Sequence, residues 1–159
     1  MIEEKYMTFT RGQVAEAAAG IGAYCTKTVT FAGGTTNDMG DFDGTGNPYK
    51  LFTVTGTVLM KLFATCSADL AGASATVEVG TALSTAGLLA LTTATNIDAG
   101  EIWHDATPDA SIELSSVATE KIVNQNVIQT VKTANITGGV LTYHCIWKPI
   151  STDGLVVAA

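Results

Sequence analysis

Residues 51–66 read Leu51-Phe52-Thr53-Val54-Thr55-Gly56-Thr57-Val58-Leu59-Met60-Lys61-Leu62-Phe63-Ala64-Thr65-Cys66. Phe52, Val54, Val58, Met60, Leu62 and Ala64 fall on alternate positions. A period of two marks a strand with one face on a core, because successive side chains point to opposite sides of the pleat. Thr and Val are frequent here, and their branched Cβ suits a strand better than a helix. The run reads as one long strand, with Gly56 interrupting it as a bulge or a point of close backbone approach.

The same pattern extends in both directions. Residues 27–32 alternate and stop at Gly33-Gly34, and residues 74–79 put Ala75, Val77 and Val79 on one face. Short strands are expected at 87–91, 101–104, 112–115 and 121–133. After a turn at Gly138-Gly139, residues 140–148 send Leu141, Tyr143, Cys145 and Trp147 one way and Val140, Thr142, His144 and Ile146 the other. That strand is expected to be buried on much of both faces. About eight short strands, with turn signals every 8–12 residues or so, indicate an all-β antiparallel sandwich. No βαβ alternation and no repeat of fixed period occurs, which argues against a parallel sheet, a propeller or a solenoid. A jelly roll is preferred over an immunoglobulin-like sandwich, whose Cys–Trp–Cys spacing is missing.

Only the first residues carry a helix signal. Thr10-Arg11-Gly12-Gln13 can form a capping box, residues 14–19 are rich in helix formers, and Gly20 stops them. The division is therefore an N-terminal arm and short helix over residues 1–22, followed by a β-sandwich domain over 23–159. Within the arm, Ile2, Tyr6, Met7 and Phe9 are anchors without a core of their own, which makes them the candidate partner-binding residues.

The 159 residues suffice for one domain, and 47% apolar content can supply its core. Charged residues are only 14%, well under the roughly 25% of an ordinary soluble domain. This suggests that a partner covers part of the surface. Eight Lys and Arg stand against fifteen Asp and Glu, for a net charge of −7, and the basic residues are scattered singly. Direct nucleic-acid binding and docking on an anionic membrane both want a basic cluster, so neither is expected. No apolar run reaches the roughly 20 residues of a membrane span. The acidic start, Met1-Ile2-Glu3-Glu4-Lys5, does not resemble a secretory leader. Cys25, Cys66 and Cys145 are odd in number and lack CxxC spacing, so they read as buried free thiols of a protein made in a reducing cytoplasm.

Each chemical motif is weaker than its bland alternative. Asp38, Asp41 and Asp43, interleaved with Gly40, Gly44 and Gly46, resemble a calcium loop, but Phe52 stands where a bidentate Glu belongs. A solvated or Asx-turn loop is the favoured reading. His104 with Asp105, and His144 with Cys145, could be zinc ligands, yet strand neighbours point to opposite faces, so structural histidines are preferred. Glu101, Asp105, Asp109 and Glu113 recur at four-residue spacing, but Pro108 and the β context make them solvated loop and edge positions. No nucleophile elbow or Cys–His frame is present, so no catalytic residue, metal or cofactor is expected. Trp103 and Trp147 read as core or interface residues before sugar-stacking ones.

Two stretches carry a family likeness: Asp41-Phe42-Asp43-Gly44-Thr45-Gly46-Asn47-Pro48 running on to Leu51 and Val58, and Gly100-Glu101-Ile102-Trp103-His104-Asp105-Ala106-Thr107-Pro108. With the Thr/Ala/Gly-rich strands and an apolar C-terminal tail, they resemble head decoration (cement) proteins of tailed bacteriophages, over about residues 24–159. The resemblance implies a jelly roll, a homotrimer, and binding to the major capsid protein on the surface of a virion assembled in the host cytoplasm. It carries no functional residue with it. The alternative expectation is a viral or secreted β-sandwich that binds a glycan or receptor, assisted by calcium at residues 38–43.

Overall fold

Gly56 does more than interrupt a strand. Its φ is +62°, and a Cβ there would fall on Asp153 Oδ1 and Ser151 Oγ. Only a residue without a side chain turns the chain so sharply against that neighbour. The turn sends the chain from one sheet into the other, and the expected long strand is two. In the structure, a computed structural model that describes residues 22–33, 39–108 and 111–159, β2 (Tyr49–Thr55) and β3 (Val58–Ala71) belong to different sheets. A second switch splits the expected strand at 121–133 into β7 (Lys121–Val123) and β8 (Val127–Lys132). The two switches meet, since Asn126 Oδ1 accepts a hydrogen bond from Val54 N at 3.0 Å.

The remaining strands are β1 (Ala23–Phe31), β4 (Thr76–Thr81), β5 (Ser84–Thr93), β6 (Ile102–Trp103), β9 (Gly138–Pro149) and β10 (Leu155–Ala158). The apolar tail is thus an edge strand that pairs with β2. Residues 112–115, expected as a strand, lie in none, and run as a loop into a turn. The first sheet has the order β1-β9-β3-β6, with β7 also paired to β3, and the second runs β10-β2-β8-β4-β5. Every pairing is antiparallel. Setting β7 and β10 aside, consecutive strands alternate between the sheets except at the β4–β5 hairpin, which is the order of an eight-stranded jelly roll. The expected helix at about 10–20 and the arm residues lie outside the described residues.

The core fills the space between the sheets. From β3 it takes Val58, Met60, Leu62, Ala64 and Cys66, and from β9 Leu141, Tyr143, Cys145 and Trp147. Trp103 is fully buried, and its Nε1 donates to Thr92 Oγ1 at 3.0 Å, which joins the two sheets. Both tryptophans therefore belong to the core. Two polar groups are buried at the centre as well. Tyr143 donates its hydroxyl to Gln129 Oε1 at 2.7 Å, and Gln129 Nε2 donates to the Met39 carbonyl at 2.9 Å. Burial pushes the Tyr143 phenol well above its ordinary pKa. Glu78, also buried, is held by Lys132 Nζ at 2.7 Å.

The Asp-rich loop is solvated at Phe42, Asp43, Thr45 and Pro48 and anchored through Asn47. Asn47 Nδ2 donates to the carbonyls of Phe42 (2.7 Å) and Val131 (2.8 Å), and its Oδ1 accepts from Val131 N at 3.0 Å. Of the loop's carboxylates, Asp41 is buried, Asp43 faces water and Asp38 lies outside the described residues.

Candidate functional site

The outward face of the first sheet is where side chains gather without an overlying sheet among the described residues. Antiparallel register sets them in rows, because residues directly opposite one another project to the same side. Tyr24, Ile146 and Lys61 form one row across β1, β9 and β3; Thr26, His144 and Phe63 form the next; Thr28, Thr142 and Thr65 the third. Tyr24 is 61% exposed and Ile146 38% exposed. The expectation that β9 is buried on both faces thus holds for its inner side only: outside, Val140, Thr142 and His144 are half-buried and Ile146 faces water. Along the same face, Ile122 sits opposite Leu59 and is exposed.

His144 organises the middle row. Its ring stacks on Phe63, with centroids 4.9 Å apart, and on Tyr24 at 6.1 Å. Nδ1 meets the Tyr24 hydroxyl at 2.7 Å and Nε2 meets Thr65 Oγ1 at 2.9 Å. A neutral imidazole, with one donor and one acceptor, is satisfied at both nitrogens by these hydroxyls. Burial disfavours the charged ring and lowers its pKa. A histidine whose folded pKa lies below its unfolded value adds stability above about pH 6.5, which is lost as pH falls through the folded value. The stability gap between the wild type and His144→Gln should accordingly narrow between about pH 7.5 and pH 5. Thermal melts across that range check this, and a gap independent of pH would remove His144 as the titrating group.

Beside these rows, the loop at 113–118 leans over β3 and encloses a groove of about 320 Å³. Phe63, Ile102, Leu114, Val117 and Ile146 make it largely apolar, with Lys61, His104 and Glu113 at its polar margin. Lys61 Nζ holds the loop by donating to the Ser115 carbonyl at 3.2 Å. Ile112 and Leu114 are among the most exposed large apolar residues of the described chain, at 85% and 73%.

The carboxylates of the four-residue spacing do converge in part. His104 Nδ1 lies 3.7 Å from Asp105 Oδ2, and Nε2 lies 3.8 Å from Glu113 Oε1. Asp105 is committed elsewhere: it accepts from Thr107 N (2.7 Å) and Thr107 Oγ1 (2.9 Å), bonds that hold its carboxyl below the usual pKa range. Glu101 accepts from Asp98 N at 2.8 Å, and Asp109 lies outside the described residues. Among the described residues, no group of three or more His, Cys, Asp or Glu side chains is arranged to hold a metal ion. His144 and Cys145 point to opposite faces, as strand geometry requires. No described helix is long and apolar enough to cross a membrane. The arm residues Ile2, Tyr6, Met7 and Phe9 lie outside the described residues.

Reading residues alone, the exposed side of β9 was legible as apolar positions in excess of one face. The groove was not, because it depends on a loop folding back over β3. No family model, curated protein or solved structure matches this chain.

Proposed function

We propose that this chain is a structural virion protein, a capsid decoration or cement protein that binds the major capsid protein and braces the phage head. The observation that carries the reading is the outer face of the first sheet, where Tyr24, Ile122 and Ile146 lie beside the apolar groove and the exposed Ile112 and Leu114. Apolar side chains clustered on one face mark an interaction surface more often than chance exposure does. The jelly-roll order, the low charge and the scattered basic residues support the same reading.

The work is done by binding, with neither catalysis nor a cofactor. A protein that binds the assembled shell and not its dissociated subunits stabilises the shell by mass action. A stable contact requires about 1,200–2,000 Å² of total buried surface, and in this reading the sheet face and the arm share it. Self-association as a homotrimer would repeat that contact with closed symmetry. The protein acts on the capsid surface after synthesis in the host cytoplasm, and touches neither nucleic acid nor membrane.

Co-sedimentation with undecorated shells tests this. The full chain is expected in the shell pellet, and Ile146→Asp is expected to bind at least about tenfold more weakly, a loss of roughly 1.4 kcal/mol, with little change in melting. Deleting residues 1–9, which removes Ile2, Tyr6, Met7 and Phe9, should also weaken attachment by an order of magnitude or more while the sandwich stays folded. A chain that remains in the supernatant ends the reading. Retention on a glycan array, abolished by EDTA, would replace it with the glycan-binding module.

A further inference from the structure

Cys25 and Cys145 are 120 positions apart in sequence and directly opposite in the β1–β9 ladder. Opposed residues of an antiparallel pair share a face, and that face is the core: Cys145 is fully buried and Cys25 is half-buried against it. Opposed Cα atoms stand about 4.5 or 5.5 Å apart depending on the type of pair, and both values fall within the roughly 4.4–6.8 Å that a disulfide accepts. All three cysteines are free in this structure. We infer that Cys25 and Cys145 are a built cross-strand disulfide site, which a small-molecule disulfide closes without rearranging the fold and which then locks the edge strand β1 to the sheet. This inference is independent of the proposed function.

The two thiols differ in a way that orders the chemistry. The Cys145 thiol beside Cys25 favours the Cys25 thiolate and lowers its pKa, while the same contact and burial raise that of Cys145. Cys25, the more accessible, attacks one sulfur of the oxidant, and one small thiolate leaves. Cys145 then loses its proton and attacks the Cys25 sulfur of the mixed disulfide, releasing the second small thiolate. The two protein thiols give up two protons and two electrons, and the oxidant becomes two thiols. Cys66 is unsuited to either role: it is buried on β3, and its Sγ donates to the Ala68 carbonyl at 3.0 Å. Among the described residues β1 pairs with β9 alone, so a covalent tie there would hold the ladder that fastens this strand.

The reduced full-length protein is incubated with oxidised glutathione at neutral pH, trapped by alkylation, and mapped as non-reduced peptides. The expected product joins the Cys25 and Cys145 peptides and leaves Cys66 alkylated, in the wild type and in Cys66→Ser alike. Its melting temperature should exceed that of the reduced protein by at least about 5 °C, since the bond closes a very long loop. Cys145→Ser should stop at the glutathione adduct on Cys25. A stable adduct on Cys25 of the wild type, a linkage involving Cys66, a bond formed only in urea, or a lowered melting temperature would each overturn the inference.

Discussion

Trp103→Ala should cost roughly 3–5 kcal/mol of stability, the range for removing a large aromatic from a packed core. The side chain is fully buried, tilted 59° against Tyr143 at 6.3 Å, and opposite Ala64 in the β3–β6 pairing. Ala64 is small, so nothing across the ladder can expand into the space. The indole also donates to Thr92 Oγ1, whose hydroxyl lies near the carbonyls of Ala90 (3.0 Å) and Asp105 (3.2 Å). With the indole gone, that hydroxyl loses its donor in a dry environment, which adds to the cavity term. In urea, at a slope of about 2 kcal/mol per molar, the midpoint should fall by about 2 M. Trp103→Phe should lose much less, because it keeps most of the volume. A shift under about 1 kcal/mol for Trp103→Ala would mean the site collapses freely, contrary to close packing.

Gln129→Leu should be nearly as damaging, and its mechanism can be isolated. Gln129 is fully buried and bridges Tyr143 of the first sheet to the Met39 carbonyl of the Asp-rich loop. Removing the amide strands two polar groups, each at a cost of about 1–3 kcal/mol, for a total of about 2–6 kcal/mol. Tyr143→Phe alone should cost about 1–2 kcal/mol, since only the amide oxygen loses its partner. In the double variant, the Tyr143 hydroxyl is no longer stranded. Its loss should therefore fall short of the sum of the single losses by at least about 1 kcal/mol. Chemical unfolding of the four proteins measures this. Strict additivity would show that Gln129 and Tyr143 do not share a bond.

Local rules carry far in this chain because a strand's exposure pattern repeats every two residues wherever it lies. The alternation of Val58 to Cys66 and of Leu141 to Trp147 corresponds to the buried face of β3 and β9 without correction. Trp147 lies there, and Trp103 is buried on the neighbouring β6. The place where that rule misleads is also instructive. Val54 and Val58 keep the same phase across Gly56, so alternation shows a single strand where the chain changes sheets. Phase records which side faces the core, and both sheets face the same core, so a switch between them leaves the pattern intact. The split at 124–126 is hidden for the same reason. The tail at 155–158 follows a turn signal at Asp153-Gly154, but four residues are too few to show a period, and its place depends on β2 offering an open edge.

By itself the sequence determined the class of fold and the buried faces of the long strands, since periodicity and β-branching act over a few neighbours. Only the tertiary structure decided the sheet order, the burial of Asp41, Glu78 and Gln129, the opposition of Cys25 to Cys145, and the groove beneath residues 113–118. Each of these joins residues distant in the chain, and their meeting is set by the packing of two whole sheets, which no local pattern encodes.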